Sequence, residues 1–200
     1  MEDFYQYERE YWQKGLLLAG ADEAGRGPLA GPVVAAAVIL PESPILEGVN
    51  DSKKLSEKKR EKLYAQITEE AVAWSVGIVE QDIIDEINIL NAARLAFLKA
   101  VEGLKPRPDF VCCDQITGLE LPVPHEAIVK GDAKVYSIAA ASIVAKVTRD
   151  RIMRDMAEQY PQYGFEKHKG YGTRAHAAAI LKYGPCPIHR RSFLKKLLGK

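Results

Sequence analysis

Short apolar runs bounded by glycine, proline and polar residues recur along the chain, and they predict the strands of a β-sheet. The run at 33–40 is β-branched and almost wholly apolar, which is typical of a central strand. A short link with Pro28 and Pro32 joins it to the run at 16–21, as in a hairpin-type connection. The predicted strands are 16–21, 33–40, 72–79, 110–113 and 127–129.

Apolar residues at helical spacing predict helices between and after these strands. Leu90, Phe97 and Val101 mark one face of a helix at 88–104, which Pro106 stops. The predicted helices are 2–13, 56–70, 88–104, 133–159, 175–183 and 192–198, with loops at 41–54 and 163–173.

Three adjacent strands followed by alternating helices and strands predict an α/β fold, in which helices flank a mixed sheet. The 200 residues fit one domain, because the chain shows no internal repeat and no low-complexity linker. Within it we expect a core at about 15–160 and a small helical C-terminal extension at about 161–200.

The net charge of +1 means that the chain as a whole is not a polycation. A nucleic-acid partner would therefore need clustered basic groups. Such clusters occur at 53–60, 167–169 and 189–196. Any one of them alone is equally well explained as a solvated surface.

The three cysteines do not form a disulfide framework, and the adjacent Cys112 and Cys113 would point to opposite faces of a strand. We interpret them as buried small apolar side chains, which indicates a reducing compartment, the cytoplasm. The acidic start, Met1 to Asp3, lacks the pattern of a signal peptide. No apolar run is long enough to span a membrane, so no membrane partner is expected.

Acidic side chains follow three of the predicted strands. Asp22 and Glu23 come after the first strand, Asp114 after the fourth and Asp132 after the fifth. If these strands are neighbours, the carboxylates converge on one edge of the sheet. Carboxylate oxygens without a cluster of cysteine or histidine favour Mg²⁺ or Mn²⁺ over Zn²⁺. Two such ions would serve an in-line displacement at a phosphate ester.

Some of these acids also have a purely structural explanation. Asp132, after a glycine, could cap a helix, and Asp114 could be an ordinary turn aspartate. The pair Asp22 and Glu23 resists such an explanation, because two adjacent charges are costly unless a cation or solvent compensates them. The functional hypothesis therefore starts from this pair.

A glycine–arginine–glycine turn follows the acidic pair. Gly25 and Gly27 allow another molecule to approach the backbone closely, and Arg26 between them is placed to meet a phosphate. The glycines also loosely match a dinucleotide-binding turn, with Glu42 as its ribose-binding acid. That motif requires a helix after the turn, whereas an apolar β-branched strand follows here, so we set it aside.

Further along the chain, two loops and the basic tail carry groups suited to nucleic acid. Hydroxyl and ammonium groups are typical contacts of phosphates. Tyr171 stands between two glycines, where it could stack on a sugar or base or bond a 2′-hydroxyl. A capped surface loop, a packed loop tyrosine and a solvated basic tail are the plain alternatives. The candidate contacts are Ser52, Lys53, Lys54, Lys169, Tyr171, Arg190 and Arg191.

Five segments carry a distinctive series of motifs: DEAGRGP at 22–28, DSKKLS at 51–56, KGD at 130–132, AAASIVAKVTRD at 139–150 and HKGY at 168–171. In this order they resemble ribonuclease HII, the type 2 ribonuclease H family. The resemblance runs from about Leu17 to Phe193, nearly the whole chain. Any one motif alone would be weak, but several in one order are specific.

The resemblance implies a ribonuclease H-like fold and an endonuclease that cuts the RNA strand of RNA–DNA hybrids. It also implies incision at single ribonucleotides embedded in duplex DNA, as in ribonucleotide excision repair, with Mn²⁺ or Mg²⁺ and with 5′-phosphate and 3′-hydroxyl ends. By position in the motifs, the metal-binding and catalytic carboxylates would be Asp22, Glu23, Asp114 and Asp132.

The same resemblance assigns the recognition of the sugar. Gly25, Arg26 and Gly27 would read the 2′-hydroxyl of the ribonucleotide, and Tyr171 would pack at its junction with the next deoxynucleotide. The chain departs from many relatives at one place, where Gln115 stands instead of a glycine after the third carboxylate. The turn geometry there is accordingly less well defined by the resemblance.

Two other functions compete with this one. A non-catalytic nucleic-acid-binding module would be opposed by four clustered acids, and a metal-dependent cleavage assay separates it from a nuclease. The sibling type 3 ribonucleases H carry an additional N-terminal substrate-binding domain, and only 21 residues precede Asp22 here, so type 2 is preferred. The basic tail, Ser192 to Lys200, is open to contact with substrate or with a protein partner, and a monomer is expected.

Overall fold

A computed structural model of the chain describes residues 4–199 and contains one five-stranded sheet. The strand order is β3-β2-β1-β4-β5. The strands are β1 (Leu18–Ala24), β2 (Val33–Ile39), β3 (Ala73–Val79), β4 (Phe110–Asp114) and β5 (His125–Ile128).

Seven α-helices lie within the described residues, together with four short 3₁₀ turns. The helices are α1 (Gln6–Trp12), α2 (Glu57–Glu70), α3 (Gln81–Ile87), α4 (Ile89–Glu102), α5 (Tyr136–Gln159), α6 (Phe165–His168) and α7 (Arg174–Tyr183). The 3₁₀ turns are Ser52–Lys54, Gly131–Ala133, Pro161–Tyr163 and Arg191–Phe193.

The sheet is mixed, as the order of elements predicts. β2 is antiparallel to both β1 and β3, whereas β1 is parallel to β4 and β4 is parallel to β5. The carboxyl ends of β1, β4 and β5 therefore meet at one edge of the sheet, which is the condition on which the convergence of the acids depends.

The two faces of the sheet are covered by different helices. Alternate residues of β2 point to opposite faces, so that Ala35 and Ala37 pack in the cluster that contains α4 and Ala36 packs in the cluster that contains α5. Every residue of β2 is buried, as expected of a central strand. α5 lies so close to β1 that a Cβ atom on Gly20 would come within 2.1 Å of the Ser137 carbonyl carbon.

The adjacent cysteines behave as predicted. Cys112 and Cys113 are fully buried and belong to different apolar clusters, one on each side of β4. Cys186 is also buried, and all three thiols are free. None of the helices described in residues 4–199 is long and apolar enough to cross a membrane.

Several predicted boundaries are corrected. β1 runs to Ala24, so Asp22 and Glu23 are the last residues but one or two of the strand rather than residues after it. The long helix begins at Tyr136, after a 3₁₀ turn at Gly131–Ala133. A short helix, α3, was not predicted. The first helix is Gln6–Trp12, and Glu2, where it was predicted to start, lies outside the described residues.

The C-terminal extension forms a third apolar cluster, in which Met153 of α5 packs with Phe165, Ile180 and Leu194. The predicted helix at 192–198 is wrong, because a 3₁₀ turn at Arg191–Phe193 followed by turns occupies this stretch. Its start is held by Asp85, which accepts hydrogen bonds from the Arg191 and Ser192 amides. The predicted loop at 163–173 contains the single-turn helix α6.

A candidate active site at the carboxyl edge of the sheet

The parallel pairing of β1 with β4 places two of the acids side by side. Ala21 is the partner of Cys113, so one step further along the register Asp22 stands beside Asp114 on the same face. Glu23, the next residue of β1, points to the opposite face. Asp132 lies in the 3₁₀ turn that follows β5. The four predicted acids therefore gather at one edge.

Burial makes this group of acids electrostatically unfavourable. Asp22 is only 5% exposed, and burial first, then the charges of Glu23 and Asp114, raise its pKa well above the ordinary carboxyl value. Burial is also the largest cause that raises the pKa of Glu23 and of Asp132. The site therefore stabilises a proton or a cation between its carboxylates.

Backbone amides and two side-chain cations hold the acids in place. Asp22 Oδ1 accepts the Glu23 amide over 2.7 Å, and Asp114 Oδ1 accepts the Gly131 amide over 2.8 Å. Lys53 Nζ lies 3.3 Å from Asp132 Oδ2, with the lysine side chain 77% exposed. The fourth contact joins Arg26 Nη1 to Glu23 Oε1 over 3.4 Å.

The donor set fits a hard divalent cation. Glu23 Oε2 is buried without a hydrogen-bond partner, so it has spare acceptor capacity. Carboxylate oxygens are the ligands that Mg²⁺ and Mn²⁺ prefer. In residues 4–199 no three acidic, histidine or cysteine side chains are already gathered for a metal ion. Lys53 and Arg26 occupy acid oxygens instead, and they would have to release them.

A cleft of about 230 Å³ opens over these acids and joins them to the predicted recognition residues. The glycine–arginine–glycine turn forms one wall and Tyr171 another. Asp132 does not line the cleft itself, but it accepts a hydrogen bond from Lys53, which does. The lining residues are Asp22, Glu23, Ala24, Gly25, Arg26, Gly27, Ser52, Lys53, Asp114, Ser142, Lys146 and Tyr171.

The turn at 25–27 is held from behind by two buried guanidinium groups. Gly25 has φ +99°, and a Cβ atom there would lie 2.2 Å from Arg149 Nε, so only glycine fits. Arg190 donates to the carbonyl oxygens of Gly25 over 2.6 Å and of Arg26 over 3.0 Å. Because these carbonyls are bound from inside, the outer side of the turn is presented to the cleft.

Two predicted substrate contacts are corrected by their burial. Arg190 has no exposed surface, and its guanidinium also donates to Gly31 and Pro32, so it supports the turn instead of meeting a phosphate. The Lys169 side chain is folded onto the carbonyl of Glu166, and its own carbonyl accepts from Arg149. Burial lowers the pKa of Arg190 to about 9.

The other predicted contacts differ in their distance from the cleft. Ser52 and Lys53 line it, held by a turn in which Asp51 accepts the Lys53 amide over 2.9 Å. Lys54 and Arg191 are exposed but do not line the cleft. Tyr171 is 41% exposed, and its ring faces Gly27, where an added Cβ atom would lie 3.9 Å from the ring.

Three site residues on α5 were not predicted individually. Ser142 and Lys146 line the cleft, and Arg149 donates to the carbonyls of Pro32, Ala30 and Lys169. Lys146 Nζ lies 5.8 Å from the centre of the Tyr171 ring. Their spacing of four and three residues puts them on one face of a helix, and this pattern within the quoted motif was the available signal.

The fold and this acidic cleft define a nuclease with a ribonuclease H-like architecture. The solved ribonuclease H2 of Pyrococcus horikoshii superposes with a TM-score of 0.77 at 30% identity, over 91% of this chain and 97% of that one. The ribonuclease HII of Archaeoglobus fulgidus, solved in a complex with PCNA, gives a TM-score of 0.72 at 28% identity, over 88% and 94%.

Sequence comparison then gives the family. The family model described as Ribonuclease HII matches residues 19–196. The Ribonuclease HII of Acetivibrio thermocellus is 58% identical, over 96% of this chain and 75% of the relative, and that of Caldicellulosiruptor saccharolyticus is 53% identical, over 98% and 97%. The chain belongs to the ribonuclease HII family and so has ribonuclease H activity on RNA–DNA hybrids. The predicted resemblance is confirmed.

Proposed function

We propose that this protein is a metal-dependent endonuclease that also incises duplex DNA at single embedded ribonucleotides. The observation that carries the proposal is the common cleft: the buried Asp22 and the partly buried Asp114 share it with the Gly25–Gly27 turn and the Tyr171 ring. A site for phosphate chemistry and a surface able to inspect a sugar thus lie side by side.

The divalent ions, Mn²⁺ or Mg²⁺, would be held by Asp22, Glu23, Asp114 and Asp132. When bound, two such ions supply an activated water and stabilise the departing oxygen of a phosphodiester. The raised pKa values of Asp22 and Asp132 support the assignment, because burial, followed by the neighbouring acids, penalises their charged forms and a bound cation would offset that penalty. Lys53 and Arg26, which now neutralise Asp132 and Glu23, are then freed for phosphate contacts.

The chain's own residues select the sugar. The Gly25–Gly27 backbone has no side chain at its two ends, so a 2′-hydroxyl can come within hydrogen-bond distance of it. Tyr171 packs on the opposite side of that nucleotide, at the junction with deoxyribose. Lys53 and Lys146 provide positive charge beside the phosphate without reading the base sequence. The products carry 5′-phosphate and 3′-hydroxyl ends.

The proposal extends to the organisation of the chain. Residues 1–200 form one catalytic domain, in which about 161–200 add a substrate-binding segment to a core at about 15–160. Its Ala30–His189 bridge joins this segment to the stretch beside the recognition turn. We assign the basic tail, Ser192 to Lys200, a contact with substrate or with a weakly held protein partner. We also propose that the protein is a monomer and that it works in the cytoplasm, where its buried thiols stay free.

The test is cleavage of a DNA duplex that carries one ribonucleotide, with Mg²⁺ and Mn²⁺ compared. Asp22→Asn removes one metal-ligating charge and is expected to lower the rate by about 10³-fold or more with either ion. Asp155→Asn, at an exposed site of α5, is the matched control and keeps the rate. Cleavage by Asp22→Asn at near the unmodified rate contradicts the mechanism, and absence of cleavage by the unmodified protein favours a binding module.

A further inference from the structure

Three of the four histidines of the chain lie together behind the Tyr171 loop, outside the acidic cleft. His176 is fully buried and His189 is 1% exposed. The rings of His168 and His176 stack with centroids 4.4 Å apart. None of them reaches the acids, so the proposed chemistry leaves this cluster without a role.

The hydrogen-bond partners fix which nitrogen of each ring carries the proton. The Cys186 amide donates to His189 Nδ1 over 3.0 Å, so that nitrogen accepts and the His189 proton lies on Nε2. His189 Nε2 then donates to His176 Nε2 over 3.0 Å. His176 must therefore carry its proton on Nδ1, which donates to the Tyr171 carbonyl oxygen over 2.9 Å.

His168 binds the backbone on the N-terminal side of Tyr171. The Gly170 amide donates to His168 Nδ1 over 3.2 Å, so the ring proton lies on Nε2 and is donated to the Tyr163 carbonyl over 2.8 Å. The backbone carbonyl of His168 accepts the Tyr171 amide over 2.9 Å. The Tyr171 amide is thus bound by the backbone of His168, and its carbonyl accepts from the His176 ring and from the Thr173 amide over 2.8 Å.

Burial keeps these rings neutral, as the chain of donors and acceptors requires. Loss of solvent lowers the pKa of His176, and it lowers that of His189 to about 4, helped by the neighbouring His176. A proton on His189 Nδ1 would face the N–H of the Cys186 amide and remove the first hydrogen bond of the series. Tyr171 is exposed, and its ring contacts only the cations Lys146 and Arg149, at 5.8 Å and 5.7 Å from its centre, among the cation–ring contacts of residues 4–199, so the backbone anchors help to set its position.

We propose that His189 and His176 form a positioning relay that sets the Tyr171 ring against the sugar, and thereby sets the preference for an isolated ribonucleotide over a continuous hybrid. The inference rests on the proposed function, in which Tyr171 packs at the junction. Neither histidine touches substrate. A displaced ring would spoil the fit at the junction and leave the metal-binding acids unmoved.

A double-mutant cycle tests the relay. His176→Phe keeps an aromatic ring on His168 but removes the donor to Tyr171. We expect it to lower the ratio of kcat/KM on a single-ribonucleotide duplex to that on a continuous hybrid by about tenfold, as Tyr171→Ala does. The double variant should lose no more than Tyr171→Ala alone. A further loss in the double variant would show that His176 acts elsewhere and would overturn the relay.

Two variants separate positioning from folding. His176→Asn keeps a side-chain N–H near the Nδ1 position and should retain the ratio within about twofold. His125→Phe is the matched control, since His125 also contacts two backbone carbonyls, those of Val123 and Leu119, on another part of the surface. A ratio that falls equally in all three variants would contradict a specific role for His176.

The unmodified protein gives a test that needs no variant to fold. A two-bond ¹H–¹⁵N NMR spectrum at neutral pH should show His176 protonated on Nδ1 and His168 and His189 on Nε2. The opposite tautomer, or a charged ring, overturns the relay even where Tyr171→Ala changes the ratio. An unchanged ratio in Tyr171→Ala overturns the proposed role of Tyr171 and the inference with it, while loss of all cleavage specificity for RNA would concern the proposed function itself.

Discussion

The cleft has an acidic wall, formed by Asp22, Glu23 and Asp114, and a recognition wall, formed by the Gly25–Gly27 turn and Tyr171. The two walls differ in how many of their polar groups have hydrogen-bond partners. On the acidic wall, Asp22 is buried beside other carboxylates, and Glu23 Oε2 has no partner. On the recognition wall, Arg190 donates to the carbonyls of the turn, Arg149 donates to the carbonyl of Pro32 just beyond it, and His176 holds the Tyr171 loop. One wall carries unfavourable electrostatics and the other is a closed network of hydrogen bonds.

This difference separates two requirements of an enzyme. A metal centre needs acids whose repulsion is relieved only when the cations arrive, so it is costly to the unliganded fold. A surface that inspects one hydroxyl must keep its geometry before the substrate binds, so its supports are rigid and buried. The two walls should therefore respond in opposite directions to the loss of a polar side chain.

The largest effect is expected from Arg190→Lys. A lysine cannot replace the four donors to Gly25, Arg26, Gly31 and Pro32, so buried carbonyls lose partners. The free energy of unfolding should fall by about 3 kcal/mol or more. Lys53→Met, at an exposed cation of the acidic wall, is the matched control and should change it by less than about 1 kcal/mol. Urea unfolding measures both, and equal losses would contradict the contrast.

The second largest effect expected is a loss of stability on the recognition side when the pH is lowered. The pKa of His189 lies near 4 in the fold against about 6.5 in an unfolded chain. Its contribution is therefore complete above pH 6.5 and lost as the pH falls through 6.5 toward 4, by about 3 kcal/mol. The groups that face the His189 ring are Tyr163, Cys186, His176 and Arg191. The positive charge of Arg191 also lowers the pKa of His189.

The acids of the other wall respond with the opposite sign. Their raised pKa values mean that the fold binds protons more readily than the unfolded chain, so acid favours it there. Asp22→Asn removes part of this compensation, and its stability should fall more steeply than that of the unmodified protein between pH 7 and pH 5. If the free energy of unfolding of Asp22→Asn stays constant between pH 7 and pH 5, the assignment of neutral histidines is contradicted.

A smaller gain is expected from Asp22→Asn at neutral pH without metal. The amide removes a buried charge from the repulsive group, so the free energy of unfolding should rise by about 1–2 kcal/mol, seen as a melting temperature higher by a few degrees. Asp150→Asn is the matched control, because Asp150 is paired with Lys146 over 2.7 Å and should lose stability. A lower melting temperature for Asp22→Asn would show that the acids are not in conflict.

The acidic wall could be predicted from the sequence more fully than the recognition wall. Strand ends carry the acids, and strands are marked by apolar runs, so the pattern placed Asp22 and Asp114 together once their strands were taken as neighbours. Arg190 was predicted to meet a phosphate, because adjacent basic residues usually lie at the surface. Its burial depends on the inward-pointing carbonyls of Gly25 in the turn and of Gly31 beyond it, both residues with positive φ, and no local pattern shows this.

The fold shows the same limit at short elements. α3 has only seven residues and ends at Ile87, and the next residue, Asn88, has φ 68° and caps α4 with its side chain. The sequence correctly predicted a helix start at Asn88 but not the separate helix before it. At 192–198 helix-forming residues instead make turns, because Asp85 and the third apolar cluster fix the chain there. Tertiary contacts override local propensity in such segments.

The separation of the two walls is tested most directly by the binding of inactive Asp22→Asn, in EDTA, to two duplexes that differ by one 2′-hydroxyl. Fluorescence anisotropy gives both dissociation constants. Recognition that resides in the 25–27 turn and Tyr171 predicts that the variant still binds the duplex with the ribonucleotide more tightly than the all-DNA duplex. Equal affinity for the two duplexes would contradict the separation and place discrimination at the acidic wall itself.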